Sequence, residues 1–485
     1  MLFGNFGLAF LTLFFLPLAE SLHVTPEIAD EQLRDVYDYI IVGGGTAGLI
    51  IANRLSENPA GPSSRIWSFT YLNNQNVEVP QGKAVGGSSI LNGLCWSRGS
   101  VSDYDDWQKL GNKGWSWNDL LPYFKKLSMD TMAQYTSPTL STSMTNLLGL
   151  PIIGDVNNGT AAGAMILPSS MHPDNQTRFD AREAHFNSVS SRYNLHIATN
   201  QTVTQLVLDS DSAYSSSQRV MGVEFALDDK SKVSGIGPSD VLKSLDIPVK
   251  IDLPGVGCNL QDHPMVYANY YYDWKQFMNK SSGDGIPSNT SNSVKKGYEV
   301  QKKILQDQIL SNDTGIFETM ANSQGQLTVA AQKTFSRGTV RPSSSSIFDL
   351  PKLDLRYCSD PIDCEIIVLG LQMNAKLIQT DAMKELMPGA ESAFDTTDHE
   401  TLMKHVMEKI TTERHHSGTA AMMPLELGGV VDPELKVRGT CNLRIADASI
   451  MPLIPSANLQ ASVYTIAEKA ADMIKSAKPD CRIIE

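Results

Sequence analysis

Tyr37-Asp38-Tyr39-Ile40-Ile41-Val42-Gly43-Gly44-Gly45-Thr46-Ala47-Gly48 is the stretch on which the fold turns. Residues 37–42 are a short β-rich, largely apolar run closed by glycines, the pattern of a buried parallel strand. Residues 49–55 carry helix formers and give way to Asn58-Pro59, so strand, glycine turn and helix follow in the order of a βαβ unit. The glycines satisfy G-x-G-x-x-G. Gly43 permits the tight turn, Gly45 lets a pyrophosphate reach the backbone, and Gly48 allows close strand–helix packing. The phosphates would rest on the helix N-terminus, beside Thr46 and Ala47. The loop predicts a dinucleotide but does not say which one.

Working outward, 485 residues suffice for two domains sharing a core. A net charge of −13 argues against a nucleic-acid partner, because phosphate backbones need a basic surface. Residues 6–18 form an apolar run too short to span a bilayer comfortably. Ala19-Glu20-Ser21 then offers small residues at the −3 and −1 positions of a cleavage site. Residues 1–21 are therefore expected to be a signal peptide, with a membrane anchor as the alternative. Sequons at Asn158, Asn175, Asn200, Asn279, Asn289 and Asn312 point the same way, to a secreted or lumenal glycoprotein. No other segment reads as membrane-spanning. Of six cysteines none forms CxxC, and no Cys/His cluster has zinc spacing, so no metal is expected. Cys358 and Cys364 are near enough for a local disulfide, which an oxidising compartment permits.

Further along, Gly82-Lys83-Ala84-Val85-Gly86-Gly87-Ser88-Ser89-Ile90-Leu91-Asn92-Gly93 is followed by Asp103-Tyr104-Asp105-Asp106-Trp107. Then come Pro254-Gly255-Val256-Gly257, Asn259-Leu260-Gln261-Asp262-His263 and Ser336-Arg337-Gly338-Thr339-Val340. His415-His416-Ser417-Gly418-Thr419, Leu443-Arg444-Ile445-Ala446-Asp447-Ala448-Ser449 and Asn458-Leu459-Gln460-Ala461 close the series. In this order the set resembles the glucose–methanol–choline (GMC) oxidoreductases from about residue 36 to residue 475, most closely their fungal aryl-alcohol oxidase and choline dehydrogenase-like branch.

That resemblance implies an α/β fold: a Rossmann-like FAD-binding domain and an antiparallel-sheet substrate-binding domain. The expected boundaries are 36–262 for the FAD domain, 263–410 for the substrate domain, and 411–478 for a segment returning to the FAD domain. It implies FAD held by Gly43, Gly45, Thr46, Ala47, Gly48, Gly86, Ser88, Asn92 and Asp447, with Val203 at the adenine by position. The implied reaction oxidises a small-molecule alcohol, aromatic or from secondary metabolism, by hydride transfer to flavin N5. Oxygen or another acceptor would reoxidise the flavin. His415 is the candidate base, because an imidazole titrates near neutral pH and accepts the hydroxyl proton. Asn458 takes the place of its partner; an amide does not act as a base here and would orient the substrate oxygen. The helix after it, with Val463, Ile466, Ala467, Ala470 and Ile474 at helical spacing, would aim its positive end at the reduced flavin. His416 is read as structural or lining the rim.

Three departures cut against this. Residues 63–70 contain no acid to hold the adenosine ribose, and the family's second strand is expected to be missing. A further strand with its AG-rich turn, between residues 225 and 234, is absent, and the substrate domain is shortened. Losing a central strand should expose neighbouring backbone and apolar faces. Either the chain compensates elsewhere or it is an incomplete gene product. Two other functions stay open: a redox-silent cyclase of the versicolorin B synthase type, and a pseudoenzyme that no longer binds FAD.

Overall fold

The structure is a computed structural model. It describes residues 23–24, 36–57, 64–67, 81–82, 84–127, 132–133, 151–199, 201–209, 217–226, 235–267, 285–311, 314–321, 327–379 and 398–477. The proposed signal peptide, Lys83, Asn200, Asn279 and Asn312 lie outside these residues.

The opening stretch folds as its pattern dictates. Tyr39–Val42 (β2) enters the glycine turn, and Thr46–Leu55 (α1) leaves it. With His23–Val24 (β1), Ser64–Trp67 (β3) and Leu195–Ala198 (β4), β2 makes a parallel sheet in the order β1-β4-β3-β2. The second strand expected to be missing is therefore present. Tyr39 pairs with Ser64 and Val42 with Trp67. Arg-Ile-Trp is a short β-forming core whose polar flanks hide it in the sequence.

The expectation of a strand buried on both faces fails for β2. Ile41 turns toward α1 and packs on the core, whereas Ile40 and Val42 on the opposite face are 37% and 44% exposed. Among the described residues β2 has a strand on one side only, and no layer covers that second face.

A second sheet supports the substrate side. It joins Pro264–Tyr267 (β5), Phe317–Ala321 (β6), Leu327–Ala331 (β7) and Thr411–Thr412 (β8) in the antiparallel order β6-β7-β5-β8. Val266, Val329 and Ala331 are buried against Ile366, Ile367, Val368 and Leu371 of helix Ile362–Ile378 (α2). Cys358 and Cys364, linked as expected, close the turn into that helix. Cys441 is also disulfide-bonded, while Cys95 and Cys258 are free thiols.

The C-terminal helix Leu459–Ser476 (α3) ties the halves together. Its helical spacing suggested one apolar stripe, yet every residue from 459 to 471 is buried, as in a helix enclosed all round. Glu468, fully buried, is held by Arg54 of α1 through Nε at 2.8 and 2.9 Å and Nη2 at 2.7 Å. Such a fork-on-carboxylate pair offsets the desolvation of both charges. Residues 442–445 form no strand and make one isolated bridge, Arg444 with Lys436. Helix Asn292–Ile309 begins at the end of a Ser- and Asn-rich stretch.

Candidate active site

The nucleotide side is built from backbone. Gly45 supplies no side-chain cap to α1, so its first-turn N–H groups remain for an anionic ligand. A Cβ on Gly48 would stand 1.9 Å from the Gly43 carbonyl oxygen, which is how closely strand and helix approach. The second glycine loop lies on the first. Gly86, at φ +113°, donates its N–H to the Gly44 carbonyl at 2.9 Å, and a Cβ on Gly87 would come within 2.6 Å of the Gly45 Cα. These residues fit a pyrophosphate. The ribose position does not have its expected acid, since β3 ends in Ile66-Trp67 and no carboxylate occurs across residues 63–70.

The other predicted cofactor residues have protein partners. Asn92 accepts from Arg178 at 2.5 Å and donates to Gln460 of α3 at 2.7 Å, bolting the second loop to the C-terminal helix. Ser88 is exposed and accepts from the Gly82 N–H at 3.3 Å. Asp447 is exposed and, instead of ending a strand, caps the short helix Ala448–Ile450 by accepting from the Ser449 N–H at 2.8 Å. Val203 packs with Ala198, Val223 and Phe225 at the start of a two-stranded ribbon.

The catalytic side is assembled by strand pairing. Pro264 of β5 is opposite Thr412 of β8, so His263 and residues 413–415 emerge together from the sheet end. The Glu413 N–H donates to the His263 carbonyl at 3.0 Å. The imidazole Nδ1 atoms of His263 and His415 are 2.9 Å apart, and Glu413 Oε2 lies 3.3 Å from the first and 3.4 Å from the second. Asp262 fixes the loop by accepting the His415 N–H at 2.8 Å and the Thr412 hydroxyl at 2.5 Å. Among the described residues His415 Nε2 has no hydrogen-bond partner, and the side chain is 14% exposed.

Charge in this corner is strongly biased. Burial pushes the His415 pKa down, but Glu413, with Asp262 behind it, raises it above the ordinary histidine range. Burial holds His263 below that range, so it stays neutral. Burial disfavours the Glu413 anion too, yet the two histidines outweigh it and keep Glu413 ionised. Glu318, buried and near Glu413, is pushed up to about 8 and carries a proton at neutral pH. The Gln332 amide donates to both carboxylates at 3.2 Å.

Gln261 couples this loop to the one bearing Asn458. Its backbone exchanges two hydrogen bonds with Ser417, at 3.0 and 2.9 Å, and its side chain binds Pro452 and Ile454, each at 3.1 Å. Asn458 begins α3 and accepts from the Ser97 hydroxyl at 3.1 Å. Buried Asp103, paired with Lys333, holds the Ser456 N–H at 3.1 Å. His416 sits 3.5 Å from Asp262, and burial lowers its pKa, consistent with a structural side chain.

Sequence reading missed Glu413, Glu318 and the place of His263. The available signal was an acid two residues before the candidate base. His263, Glu413 and His415 also have the make-up of a metal-ligand set, their donor atoms lying within 4.8 Å of one another. Sequence spacing did not show this set, because 152 residues separate the histidines.

Residues 37–265 and 334–467 match the N- and C-terminal profiles described as GMC oxidoreductase. The chain is a GMC oxidoreductase. FAD is the cofactor of this family. Dehydrogenase xptC of Emericella nidulans is 28% identical over 94% of this chain and 96% of its own length. An oxygen-dependent choline dehydrogenase of Pseudomonas savastanoi is 29% identical over 91% and 94%. Among solved structures, an FAD-dependent oxidoreductase from Chaetomium thermophilum superposes with a TM-score of 0.79 at 26% identity, covering 91% of this chain and 99% of that one. A fungal aryl-alcohol oxidase gives 0.73 at 25%, with the same coverage. The alignment with xptC runs over 600 positions against 485 residues here. This GMC oxidoreductase therefore covers most of the length of these relatives, while more than a hundred xptC positions have no counterpart in it.

Proposed function

We propose that this GMC oxidoreductase oxidises an alcohol to its carbonyl compound, with His415 accepting the hydroxyl proton at Nε2. The observation that carries the reading is the His415 ring itself: Nδ1 is tied inward, the backbone is bolted by Asp262, and among the described residues Nε2 is left without a partner. Bound FAD supplies the hydride acceptor. Asn458, fixed by Ser97 at the start of α3, orients the substrate oxygen, and the helix N-terminus favours negative charge near it. Gly43, Gly45, Thr46, Ala47, Gly48, Gly86 and Ser88 hold the cofactor's phosphates and adjoining atoms, with Asn92 fixing the second loop. An aromatic alcohol is the favoured substrate class, supported by the similarity to a fungal aryl-alcohol oxidase. Export is proposed as well, since the described sequons Asn158, Asn175 and Asn289 are all exposed.

The test is anaerobic. Purified holoprotein should show a flavin spectrum, and an aryl alcohol should bleach it while yielding the aldehyde. A flavin that resists every alcohol would return the cyclase reading. A colourless protein that takes up no added FAD would return the pseudoenzyme, which the missing ribose acid and the bare face of β2 favour.

A further inference from the structure

Glu413 lies two residues before His415, is 7% exposed, and reaches both imidazole Nδ1 atoms. We propose that Glu413 is a positioning residue that sets the basicity of His415, with neutral His263 as the second arm of the same clamp; this deepens the alcohol-oxidation reading and rests on it. A His415 ring turned so that Nδ1 meets Glu413 and His263 has only Nε2 to offer a substrate. The carboxylate stabilises the imidazolium formed when Nε2 takes a proton. The 2.9 Å between the two Nδ1 atoms leaves room for one proton between the rings, its place following the tautomer of each. Nε2 of His263 is buried without a partner, a cost that marks the site as built for its geometry.

The surroundings make Glu413 the deciding charge. The groups facing His415 are Glu413, Asp262 and Glu318 on the acidic side and His263 and His416 on the basic side, with the Cys95 thiol nearby. Asp262 spends one oxygen on the His415 N–H and the other on the hydroxyls of Thr412 and Tyr357, and Glu318 is protonated at neutral pH. Glu413 thus remains as the ionised group, its Oε2 shared among Gln332 at 3.2 Å, His263 at 3.3 Å and the His415 ring at 3.4 Å. A zinc ion among the same atoms is the competing arrangement. Ligand edges about a tetrahedral zinc at 2.0–2.1 Å would be roughly 3.3–3.4 Å. Two of the three separations match, but the 2.9 Å between the imidazoles is a hydrogen bond.

The experiment follows the imidazoles directly. The full-length holoprotein, labelled with ¹⁵N at its nine histidines, is titrated by NMR, and the His415 resonance is assigned by its loss in His415→Asn. Removing an opposite charge lowers a histidine pKa, so Glu413→Gln should reduce the proton affinity of His415 about tenfold or more. The acid limb of kcat/KM for alcohol-driven flavin reduction should move to lower pH by the same factor, because the base is then free at lower pH. Glu413→Asp should restore part of the shift, and it serves as the second variant if Glu413→Gln does not fold. An unchanged His415 titration in either folded variant overturns the proposal. So does one equivalent of divalent metal in the purified protein whose chelation alone moves the His415 resonance. If no alcohol bleaches the wild-type flavin, the oxidation reading fails while the titration still decides the role of Glu413.

Discussion

The corner around His415 and the face of β2 differ in how completely they are finished. Around His415 each loop has a buried anchor: Asp262 for the base, Gln261 for the join, and Ser97 and Asp103 for the loop leading to Asn458. At β2 two large aliphatic side chains stand in solvent on a strand that the Rossmann pattern predicts to be buried. Among the described residues, then, the His415 corner is held by buried polar anchors while the outer face of β2 is not covered.

The largest effect should come from the finished side. His415→Ala should slow alcohol-driven flavin reduction about 10²–10⁴-fold, the usual range for a general base, while leaving the flavin spectrum unchanged. Equal bleaching rates in stopped-flow would sink the assignment. On the unfinished side Gly48→Val should remove the flavin outright, because its Cβ cannot share space with the Gly43 carbonyl. Circular dichroism of the folded variant, read beside its flavin absorbance, separates loss of cofactor from loss of fold.

Legibility in the sequence followed the same division. Glycine loops announce themselves because a positive φ or a close backbone approach disfavours other residues, so Gly43, Gly48 and Gly86 were readable at sight. His415 and Asn458 were readable only through the ordered motifs around them. Glu413 and Glu318 were not, since an acid becomes significant only when pairing of Pro264 with Thr412 and of Phe317 with Ala331 brings it to a shared end of the sheet. The Ser64–Trp67 strand was hidden by its shortness. Its place between β2 and β4 is decided by partners far away in the chain.

The helices that follow the glycine turn and Asn458 meet at Arg54 and Glu468, and that contact gives an intermediate effect. Arg54→Ala leaves a fully buried carboxylate with only Lys126, 3.6 Å away, to answer it. Breaking a buried pair costs about 3–5 kcal/mol; Lys126 and the partial exposure of Arg54 place this case near about 3 kcal/mol. Urea titration measures it. A change below about 1 kcal/mol would mean that α1 and α3 are held by apolar packing alone.

The smallest expected effect is the most searching test of the comparison. If the outer face of β2 is bare, Ile40→Ser and Val42→Thr should each alter stability by less than about 0.5 kcal/mol, as surface changes do. Ile50→Ala, on the fully buried side of α1, should cost about 2–5 kcal/mol. The two faces of one βα unit would then answer oppositely to the same kind of truncation. Should Ile40→Ser cost as much as Ile50→Ala, some layer covers β2 in solution, and the cofactor sheet is as complete as the catalytic corner. Ser64–Trp67 would then be an inner strand of a finished domain, and the missing ribose acid and AG-rich turn would be the remaining departures on the cofactor side.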